Sequence, residues 1–598
     1  MPEIRSKDRN SGTTPFSVSS TNVDETRECQ TARGRKKGSM KTKRQVPFEQ
    51  NNRPKSVPDG SAEFAEYVRA NQKKLRSELK SWYDFIVCGS GSSGSVVAGR
   101  LAENPDVSVL LLEAGGDDDV PTVNDAGQWV TNIGSERYWQ FEAAPNPHLN
   151  GRAIPIGMGK VLGGGSSINA MIWARGHKSD WDFFASETGD PGWGYESVLN
   201  TYRRIEDWQG VPDPRYRGTG GPIFVQPLQD PNPAAGALFE TIASLGIPIF
   251  ENQNGRIMEA DGGASVADVR IRNGKRQSVF RSYVFPYMDR PNLTVLPHAL
   301  VTRLTFENKR ATGVQISYEG SVRSIRAGCE VILSLGAIHT PKVLMQSGIG
   351  DQAELNHFGI PVIEHLPGVG LGFQDHLGVG CLWECADSLP TRPAPEAVIY
   401  RKSATGLGSP DFQILPAVFS AGDAARLGLP AGGWVLIGNV VQPKSRGRIR
   451  LTGSDPADPV RIEANYLFDP EDRKAVFACL ELCREIGNSN ALRPFVSREV
   501  IPGNLEHPQL ENYIRDTAFS FWHQTSTAKM GRDAMSVVDG DLRVYGVKNL
   551  RIADGSVMPR VTTGNTMAPC VIVGERAAEI IRGERQMETA SVSGSDRL

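Results

Sequence analysis

Residues 83–94 read YDFIVCGSGSSG, an apolar run that leads into glycines spaced as GxGxxG. The apolar run predicts a short buried strand, and the small residues from Ser93 to Glu103 predict a helix that can pack closely against it. A second apolar run, SVLLLE at 108–113, predicts another buried strand. Strand, glycine turn, helix and strand in this order form a βαβ unit, which requires a parallel sheet.

The glycine turn predicts a dinucleotide-binding site. Gly89 permits a tight turn, Gly91 lets a pyrophosphate approach the backbone, and Gly94 lets the helix approach the strand. Glu113 lies 19 residues beyond Gly94, at the distance where an acidic side chain binds a ribose hydroxyl. This unit alone does not distinguish a nicotinamide cofactor from a flavin.

Charge and hydropathy exclude several classes of protein. Residues 1–60 contain 13 Lys and Arg residues against 7 Asp and Glu residues, so the rest of the chain carries −8 within a total of −2. An acidic body argues against nucleic acid as the main partner. The longest apolar runs, such as 109–112, fall far below the roughly 18 residues of a membrane span. The 8 cysteines are too few for a dense disulfide framework and favour a reducing compartment, the cytoplasm.

The two ends of the chain differ in composition from its body. Residues 1–60 are rich in polar and basic side chains, which predicts a disordered basic tail. Residues 61–82 place apolar side chains at helical spacing, with Ser61 at the N-cap position, which predicts an amphipathic helix. Residues 586–598 are expected to form a flexible C-terminus.

A second glycine cluster separates the two kinds of cofactor. Residues 159–169 read GKVLGGGSSIN, and the successive glycines can lie with their backbone against a flat ring. A further motif, GAIHTPKVLMQSGIG, occupies 336–350. These motifs, in this order, resemble the two signatures of the glucose-methanol-choline (GMC) oxidoreductases, in particular their choline dehydrogenase-like and aryl-alcohol or hydroxymethylfurfural oxidase-like members. The resemblance extends from residue 82 to residue 583.

The resemblance implies an α/β fold with two parts. A Rossmann-like FAD-binding domain, discontinuous in sequence, is expected to hold an inserted substrate-binding domain of α+β type, built on a mostly antiparallel sheet. We assign residues 82–185, 255–355 and 535–585 to the FAD-binding domain. Residues 186–254 and 356–534 then form the substrate-binding domain.

The resemblance also implies FAD and the residues that contact it. Members with covalently attached flavin carry a histidine at the position of Ile168, so we expect noncovalent FAD. Asp554 and Gly555 match the acid and glycine beside the pyrophosphate and ribityl chain, and Val301 matches a backbone contact to adenine. No metal is expected. The full set of expected FAD contacts is Gly89, Gly91, Ser92, Ser93, Gly94, Glu113, Ala114, Leu162, Gly164, Ser166, Asn169, Val301, Trp522, Asp554, Gly555 and Thr566.

Alcohol oxidation requires a base that takes the hydroxyl proton while the α-carbon gives hydride to flavin N5. His523, in FWHQ at 521–524, is similar to the family's active-site histidine, and Asn565 stands where members have either His or Asn. An unperturbed imidazole titrates near physiological pH, so His523 is expected to be the base. Asn565 is expected to donate a hydrogen bond to the substrate oxygen. His339 and His376 are expected to be structural.

The sequence thus predicts an FAD-dependent oxidoreductase that oxidises the CH–OH group of a primary alcohol to an aldehyde. Its expected partners are the alcohol and either oxygen or a quinone-like electron acceptor, and the sequence does not distinguish an oxidase from a dehydrogenase. Phe521 and Trp522 either favour an apolar or aromatic alcohol or belong to the core. Two alternatives remain: an FAD-containing lyase of the hydroxynitrile lyase type, without net redox, and a non-catalytic FAD-binding protein.

Overall fold

The computed structural model describes residues 61–386 and 389–587. The predicted tail at 1–60 and the end of the predicted flexible C-terminus lie outside the described residues. Within them, the α-helices are Ala62–Ser77, Ser92–Ala102, Pro121–Asn124, Lys178–Thr188, Tyr195–Ile205, Ala234–Ser244, Val279–Tyr283, Gly336–Gln346, Gln352–His357, Ala421–Arg426, Pro470–Gly487, His507–Thr517 and Met567–Glu584.

The first sheet has 7 strands and a parallel centre. Strand Trp82–Cys88 pairs in parallel with Val109–Leu112 on one side and with Ser321–Leu333 on the other. The strand Val109–Leu112 is buried along its whole length, as expected for a parallel sheet covered on both faces. The other strands are Leu293–Leu296, Leu300–Glu307, Arg310–Tyr318 and Leu550–Ile552. Because these strands come from separate stretches of the chain, the predicted discontinuous Rossmann-like fold is confirmed.

The predicted βαβ unit is also confirmed, since helix Ser92–Ala102 connects two neighbouring parallel strands. Gly89 has a φ of +96°, and a Cβ there would lie 2.3 Å from the Ser334 carbonyl oxygen. A Cβ on Gly94 would lie 1.9 Å from the Gly89 carbonyl oxygen. Only glycine fits either position, so the close approach of helix and strand depends on both residues.

The second sheet has 7 strands with antiparallel pairing, as the sequence predicted for the substrate-binding part. Helix Pro470–Gly487 packs against one face of this sheet. Strand Gly263–Val266 belongs to this sheet although we assigned residues 255–355 to the FAD-binding domain; the exact domain boundaries stay a prediction. In spatial order the strands are Val496–Ile501, Leu377–Cys385, Gly433–Val440, Phe412–Phe419, Ala397–Arg401 and Gly263–Val266, and Phe519–Ser520 pairs with Leu377–Cys385.

Smaller sheets connect these two main sheets. Three-stranded sheets are formed by Leu371–Phe373, Gly447–Leu451 and Val460–Glu463, and by Glu206–Trp208, Ile223–Pro227 and Asp268–Val269. Two-stranded pairs are formed by Tyr138–Glu142 with Pro155–Gly159, by Ile271–Arg272 with Lys275–Arg276, and by Ile349–Gly350 with Glu364–His365.

The last helix, Met567–Glu584, packs directly on the first glycine turn. The Ser93 hydroxyl donates to the Cys570 carbonyl at 2.6 Å, between residues 477 positions apart in sequence. A Cβ on Gly574 would lie 2.7 Å from the Ser93 carbonyl oxygen, so the two helices meet backbone to backbone. The C-terminal segment is therefore part of the dinucleotide-binding unit and not an appendage.

The helix Ala62–Ser77 precedes the first strand and packs on the body. The Ser61 hydroxyl accepts the Phe64 N–H at 3.0 Å, which is the N-cap that the sequence predicted. The buried Phe64 ring contacts the edge of Phe285 with 5.5 Å between ring centroids. Over residues 61–386 and 389–587, the structure contains no helix with both the length and the hydrophobicity of a membrane crossing.

Candidate active site

A cavity of about 880 Å³ is lined by residues from both main sheets. This volume is in the range of pockets that hold small ligands and cofactors. His523 and Asn565, the predicted catalytic residues, line it. The predicted FAD contacts that line the cavity are Gly89, Gly91, Ser92, Ser93, Glu113, Ala114, Gly164, Ser166, Asn169, Val301, Trp522, Asp554, Gly555 and Thr566.

Gly94 and Leu162 are the predicted contacts that the structure places outside the cavity wall. The backbone of Gly94 faces the Gly89 carbonyl, so Gly94 serves the packing of helix on strand. Leu162 is buried, and its N–H donates to the Gly116 carbonyl at 3.0 Å. Both residues pack behind the glycine loops and do not line the cavity.

The two glycine loops form a cradle that is bare of side chains. Helix Ser92–Ala102 begins here, and its N-cap residue Gly91 offers no side-chain cap, so the N–H groups of the first turn point to the cavity. A Cβ on Gly91 or Gly165 would meet no protein atom within 4 Å, while a Cβ on Gly164 would lie 2.8 Å from Gly91 Cα. A helix N-terminus stabilises negative charge, so this cradle fits the pyrophosphate of FAD, with the second loop beside its flat ring.

Two buried carboxylates fix the backbone around the cradle. Glu113 accepts hydrogen bonds from the Ser90 N–H at 3.1 Å, from the Ser90 hydroxyl at 2.7 Å and from the Gly115 N–H at 2.9 Å. Asp554 accepts from the Thr340 hydroxyl at 2.6 Å. Burial raises the pKa of both carboxyl groups, although these hydrogen bonds oppose the increase. Glu113 thus lines the cavity and at the same time fixes the shape of the glycine turn.

Polar side chains tie the second glycine loop to its surroundings. The Ser166 hydroxyl accepts the Val279 N–H at 3.0 Å, and Asn169 Oδ1 accepts from the Arg276 guanidinium at 2.9 Å. Burial lowers the pKa of Arg276 to about 9. Through this contact Asn169 holds the conformation of the second glycine loop.

His523 and Asn565 meet in the wall of the same cavity. Asn565 Nδ2 lies 3.3 Å from His523 Nε2, and Asn565 Oδ1 is buried without a hydrogen-bond partner among the described residues. His523 Nδ1 lies 2.8 Å from Nδ1 of His376. The three side chains form a line of polar groups that ends in the cavity, where a hydroxyl group could be bound.

The backbone around His523 is held by the buried carboxylate of Asp375. Asp375 accepts the His523 N–H at 2.7 Å, the Ser520 hydroxyl at 2.6 Å and the Tyr466 hydroxyl at 2.7 Å. Trp522, just before the histidine, has a φ of +60°, a left-handed conformation that is costly for a bulky residue. The Asp375 contacts offset this cost and fix the loop that presents the imidazole.

Burial changes the acid–base properties of both histidines. It lowers the pKa of His523 to about 3. It also lowers the pKa of His376 well below the ordinary value, and the neighbouring His523 adds to this effect. The expectation that His523 titrates near physiological pH is therefore replaced by a histidine that stays neutral there. A neutral imidazole is the form that accepts a proton.

Sequence reasoning did not assign a role to Asp375, and it expected His376 to be structural, whereas the structure places the His376 ring against His523. Their contacts join positions far apart in the chain, 147 residues for the histidine pair and 91 residues for the contact of Asp375 with Tyr466. The signal that could have identified them is the adjacent acid and imidazole in QDH at 374–376. His339, which was expected to be structural, also lines the cavity and packs against the Trp139 ring.

The described residues contain no group of three or more His, Cys, Asp or Glu side chains that could hold a metal ion.

Comparison with known proteins adds independent evidence. A family model described as GMC oxidoreductase matches residues 83–378, and a second model of the same description matches residues 443–574. The chain is similar to the oxygen-dependent choline dehydrogenase of Paraburkholderia xenovorans (strain LB400), with 34% identity over 540 residues, which cover 84% of this chain and 95% of that protein. It is similar to an alcohol dehydrogenase [acceptor] of Pseudomonas putida, with 34% identity over 547 residues, covering 86% and 98%.

A solved structure has the same fold. The chain is similar to pyridoxine 4-oxidase from Mesorbium loti, with 29% identity and a TM-score of 0.77, covering 83% of this chain and 98% of that structure.

Proposed function

Since the chain belongs to the GMC oxidoreductase family, we propose that His523 and Asn565 carry out its reaction, with His523 as the base. The protein is an FAD-dependent oxidoreductase that acts on the CH–OH group of alcohols. The observation that supports the catalytic assignment is the 3.3 Å approach of His523 Nε2 and Asn565 Nδ2 in the wall of the cavity that the glycine cradle also lines.

The residues of the chain handle the proton. His523 Nε2 takes the hydroxyl proton of the alcohol, and Asn565 Nδ2 donates a hydrogen bond to the same oxygen. The hydrogen on the α-carbon leaves with two electrons as hydride, so a C=O bond forms and the product of a primary alcohol is an aldehyde. Bound FAD supplies the hydride acceptor at N5. The two electrons then pass to oxygen or to a quinone-like acceptor.

The proposal also includes the way FAD is attached, the candidate substrates and the cellular compartment. Ile168 lines the cavity at the position where covalent members have a histidine, which supports noncovalent FAD. The names of the relatives suggest choline and other alcohols as candidate substrates. The division into an FAD-binding and a substrate-binding domain and the cytoplasmic localisation both stay predictions.

Anaerobic mixing of the FAD-loaded protein with primary alcohols tests the reaction class. We expect the flavin absorbance to bleach, because the alcohol has no other electron acceptor available. A lyase of the same fold, or a protein that only binds FAD, would leave the flavin absorbance unchanged with every alcohol. Stopped-flow spectroscopy gives the bleaching rate, and later mixing with oxygen or a quinone identifies the electron acceptor.

His376 is a positioning residue that sets the tautomer of His523. Asn565 Nδ2 only donates hydrogen bonds, so His523 Nε2, 3.3 Å away, accepts in this contact and carries no proton. His523 then carries its proton on Nδ1 and donates it to Nδ1 of His376, 2.8 Å away. His376 Nδ1 is therefore the acceptor that holds the proton of His523 on Nδ1. The nitrogen that faces Asn565 and the cavity is thus the one that can accept a proton.

Replacing His376 by Leu should slow alcohol-driven flavin bleaching by about 10-fold to 100-fold. Leucine cannot accept the His523 Nδ1 proton, and a buried donor without a partner costs about 1–3 kcal/mol, so the proton moves to Nε2. His376→Gln should retain most of the rate, since its amide oxygen can accept. Selective ¹⁵N-histidine labelling reports which ring nitrogen of His523 is protonated.

The tautomer readout separates positioning from a structural role. A loss of packing at position 376 would lower stability in both variants without moving the proton of His523 in either. If His376→Leu keeps the proton on Nδ1 of His523 and bleaches at the wild-type rate, the positioning role is wrong.

A further inference from the structure

We propose that the substrate is an uncharged alcohol with a hydrocarbon body, and not a quaternary ammonium alcohol such as choline. This inference rests on the proposed alcohol oxidation at His523. It is carried by the wall of the cavity beyond His523, which is built from one face of the second sheet. We call this part the hydrocarbon chamber, formed on the sheet by Gly380, Leu415, Ala417, Phe419, Val435 and Ile437.

The chamber wall follows from the alternation of side chains along the strands. In Phe412–Phe419, every second residue from Leu415 faces the cavity, and in Gly433–Val440 Val435 and Ile437 do so. Leu415 pairs with Ile437 across the strands, and Ala417 pairs with Val435. Cross-strand neighbours on one face lie side by side, so these residues form a continuous aliphatic surface.

Further apolar side chains close the chamber on its other sides. Leu427 and Leu429 follow helix Ala421–Arg426, Trp129 and Ile133 come from the segment after Asn124, and Ile501 ends a strand of the same sheet. All five are partly buried and line the cavity. The four aliphatic side chains of this set gain free energy by covering hydrocarbon and offer no hydrogen-bond partner to a polar group, and Trp129 is the one aromatic ring among the five.

A cation would find no buried negative charge in this chamber. The described residues that line the whole cavity include 3 carboxylates. Glu113 and Asp554 belong to the nucleotide end, where backbone and hydroxyl donors already bind them. Asp516 is exposed and accepts from Asn150 Nδ2 at 2.8 Å. A quaternary ammonium would therefore be desolvated without a counter-ion.

Outside the nucleotide end, the cationic side chains that line the cavity outnumber the carboxylates. Arg152, Arg392 and Arg426 line the cavity, and guanidinium groups stay charged at every physiological pH. The buried carboxyl of Glu396 follows the lining residues Ala394 and Pro395 but does not itself line the cavity. Burial raises the pKa of Glu396 to about 7, and Arg392 is the cation that opposes this increase. Arg392 is paired at 3.0 Å with Asp230, which does not line the cavity, so the lining residues outside the nucleotide end present three guanidinium groups and the single carboxylate of Asp516.

Gly380 lies beside empty space in the hydrocarbon chamber. It lies in strand Leu377–Cys385 opposite Ile437, and a Cβ there would meet no protein atom within 4 Å. Its φ is not in the left-handed region, so a larger side chain fits the backbone without strain. A leucine at this position would therefore occupy space that the substrate body otherwise fills.

Two alcohols of the same shape, one charged and one neutral, test whether the chamber excludes a positively charged substrate. Choline and 3,3-dimethylbutan-1-ol differ by a quaternary nitrogen in place of a carbon atom. Anaerobic flavin bleaching by the FAD-loaded wild-type protein should have a kcat/KM at least about 100-fold higher for the neutral alcohol, because an unpaired buried charge is costly. Equal values for the two alcohols, or a preference for choline, would overturn the inference while leaving the alcohol oxidation intact.

A series of unbranched primary alcohols tests the hydrocarbon surface. Each added methylene should raise kcat/KM roughly fourfold until the chamber is filled. In Gly380→Leu the optimum chain length should be shorter by about three carbons, since the new side chain fills that volume. The matched control is Gly236→Leu on helix Ala234–Ser244, where a Cβ also meets no atom within 4 Å. This exposed change should leave the wild-type optimum in place.

The outcomes separate this inference from the proposed function. If no alcohol of either kind bleaches the flavin, the alcohol oxidation itself is wrong and the substrate assignment is wrong with it. If alcohols bleach the flavin but kcat/KM does not rise with chain length, the chamber does not bind the substrate body. A full complement of bound FAD in Gly380→Leu, measured from the absorbance spectrum, establishes that this variant is folded.

Discussion

His523→Ala is expected to slow alcohol-driven flavin bleaching by about 10²-fold to 10⁴-fold, the range that a positioned general base contributes. The alanine leaves the hydroxyl proton without an acceptor, since the neighbouring Asn565 amide nitrogen only donates. The FAD content should remain as in the wild type, because the glycine cradle is built from other segments, residues 89–94 and 159–169. Stopped-flow absorbance under anaerobic conditions measures the rate.

Two comparisons make this result specific. His357→Ala, at an exposed position on helix Gln352–His357, should bleach at the wild-type rate. Free imidazole added to His523→Ala should recover part of the rate, because it can enter the vacated space and accept the proton. Bleaching by His523→Ala at the wild-type rate would show that another group is the base.

Gly94→Ala and Gly91→Ala should separate folding from cofactor binding. A Cβ on Gly94 would lie 1.9 Å from the Gly89 carbonyl oxygen, an overlap that costs about 1–3 kcal/mol of stability even after relaxation. The apoprotein of this variant should melt at a lower temperature and hold little FAD. At Gly91 the Cβ meets no protein atom, so the apoprotein should melt as the wild type does.

Gly91→Ala should weaken FAD binding while leaving the stability of the apoprotein unchanged. Its methyl group stands where the pyrophosphate approaches the helix N-terminus, and loss of one or two charge-assisted hydrogen bonds should raise the Kd about 10-fold to 100-fold. Flavin fluorescence titration of the apoprotein gives the Kd, and thermal melting gives the stability. If Gly91→Ala binds FAD with wild-type affinity, the pyrophosphate does not bind at this helix N-terminus. If Gly94→Ala has an unchanged melting temperature, helix Ser92–Ala102 can shift to accommodate the added methyl group.

The elements close to the glycine turn were predictable because their signals are local. The apolar run before Gly89 and the glycine spacing after it determine the strand, the turn and helix Ser92–Ala102 within a short stretch of chain. His523 was found from a motif, and the structure places it with Asn565 at the same end of the cavity.

The parts that the sequence did not reveal depend on distant contacts and on burial. The role of His376 requires His523, which lies 147 residues away, and no pattern within either segment indicates that their rings meet. The low pKa of His523 follows from exclusion of water, which a motif cannot report. The chamber is likewise invisible in sequence, because Leu415 and Ile437 look like any alternating strand residues until the two strands pair.

The contact between the last helix and the first glycine turn has a consequence for biosynthesis. Ser93 is translated well before Cys570, 477 positions later, and before Gly574, and these two residues complete its surroundings. Strand Leu550–Ile552 also joins the first sheet only after most of that sheet has been made. The dinucleotide-binding unit is therefore incomplete until helix Met567–Glu584 has been synthesised, and a chain truncated before this helix is expected to bind FAD more weakly.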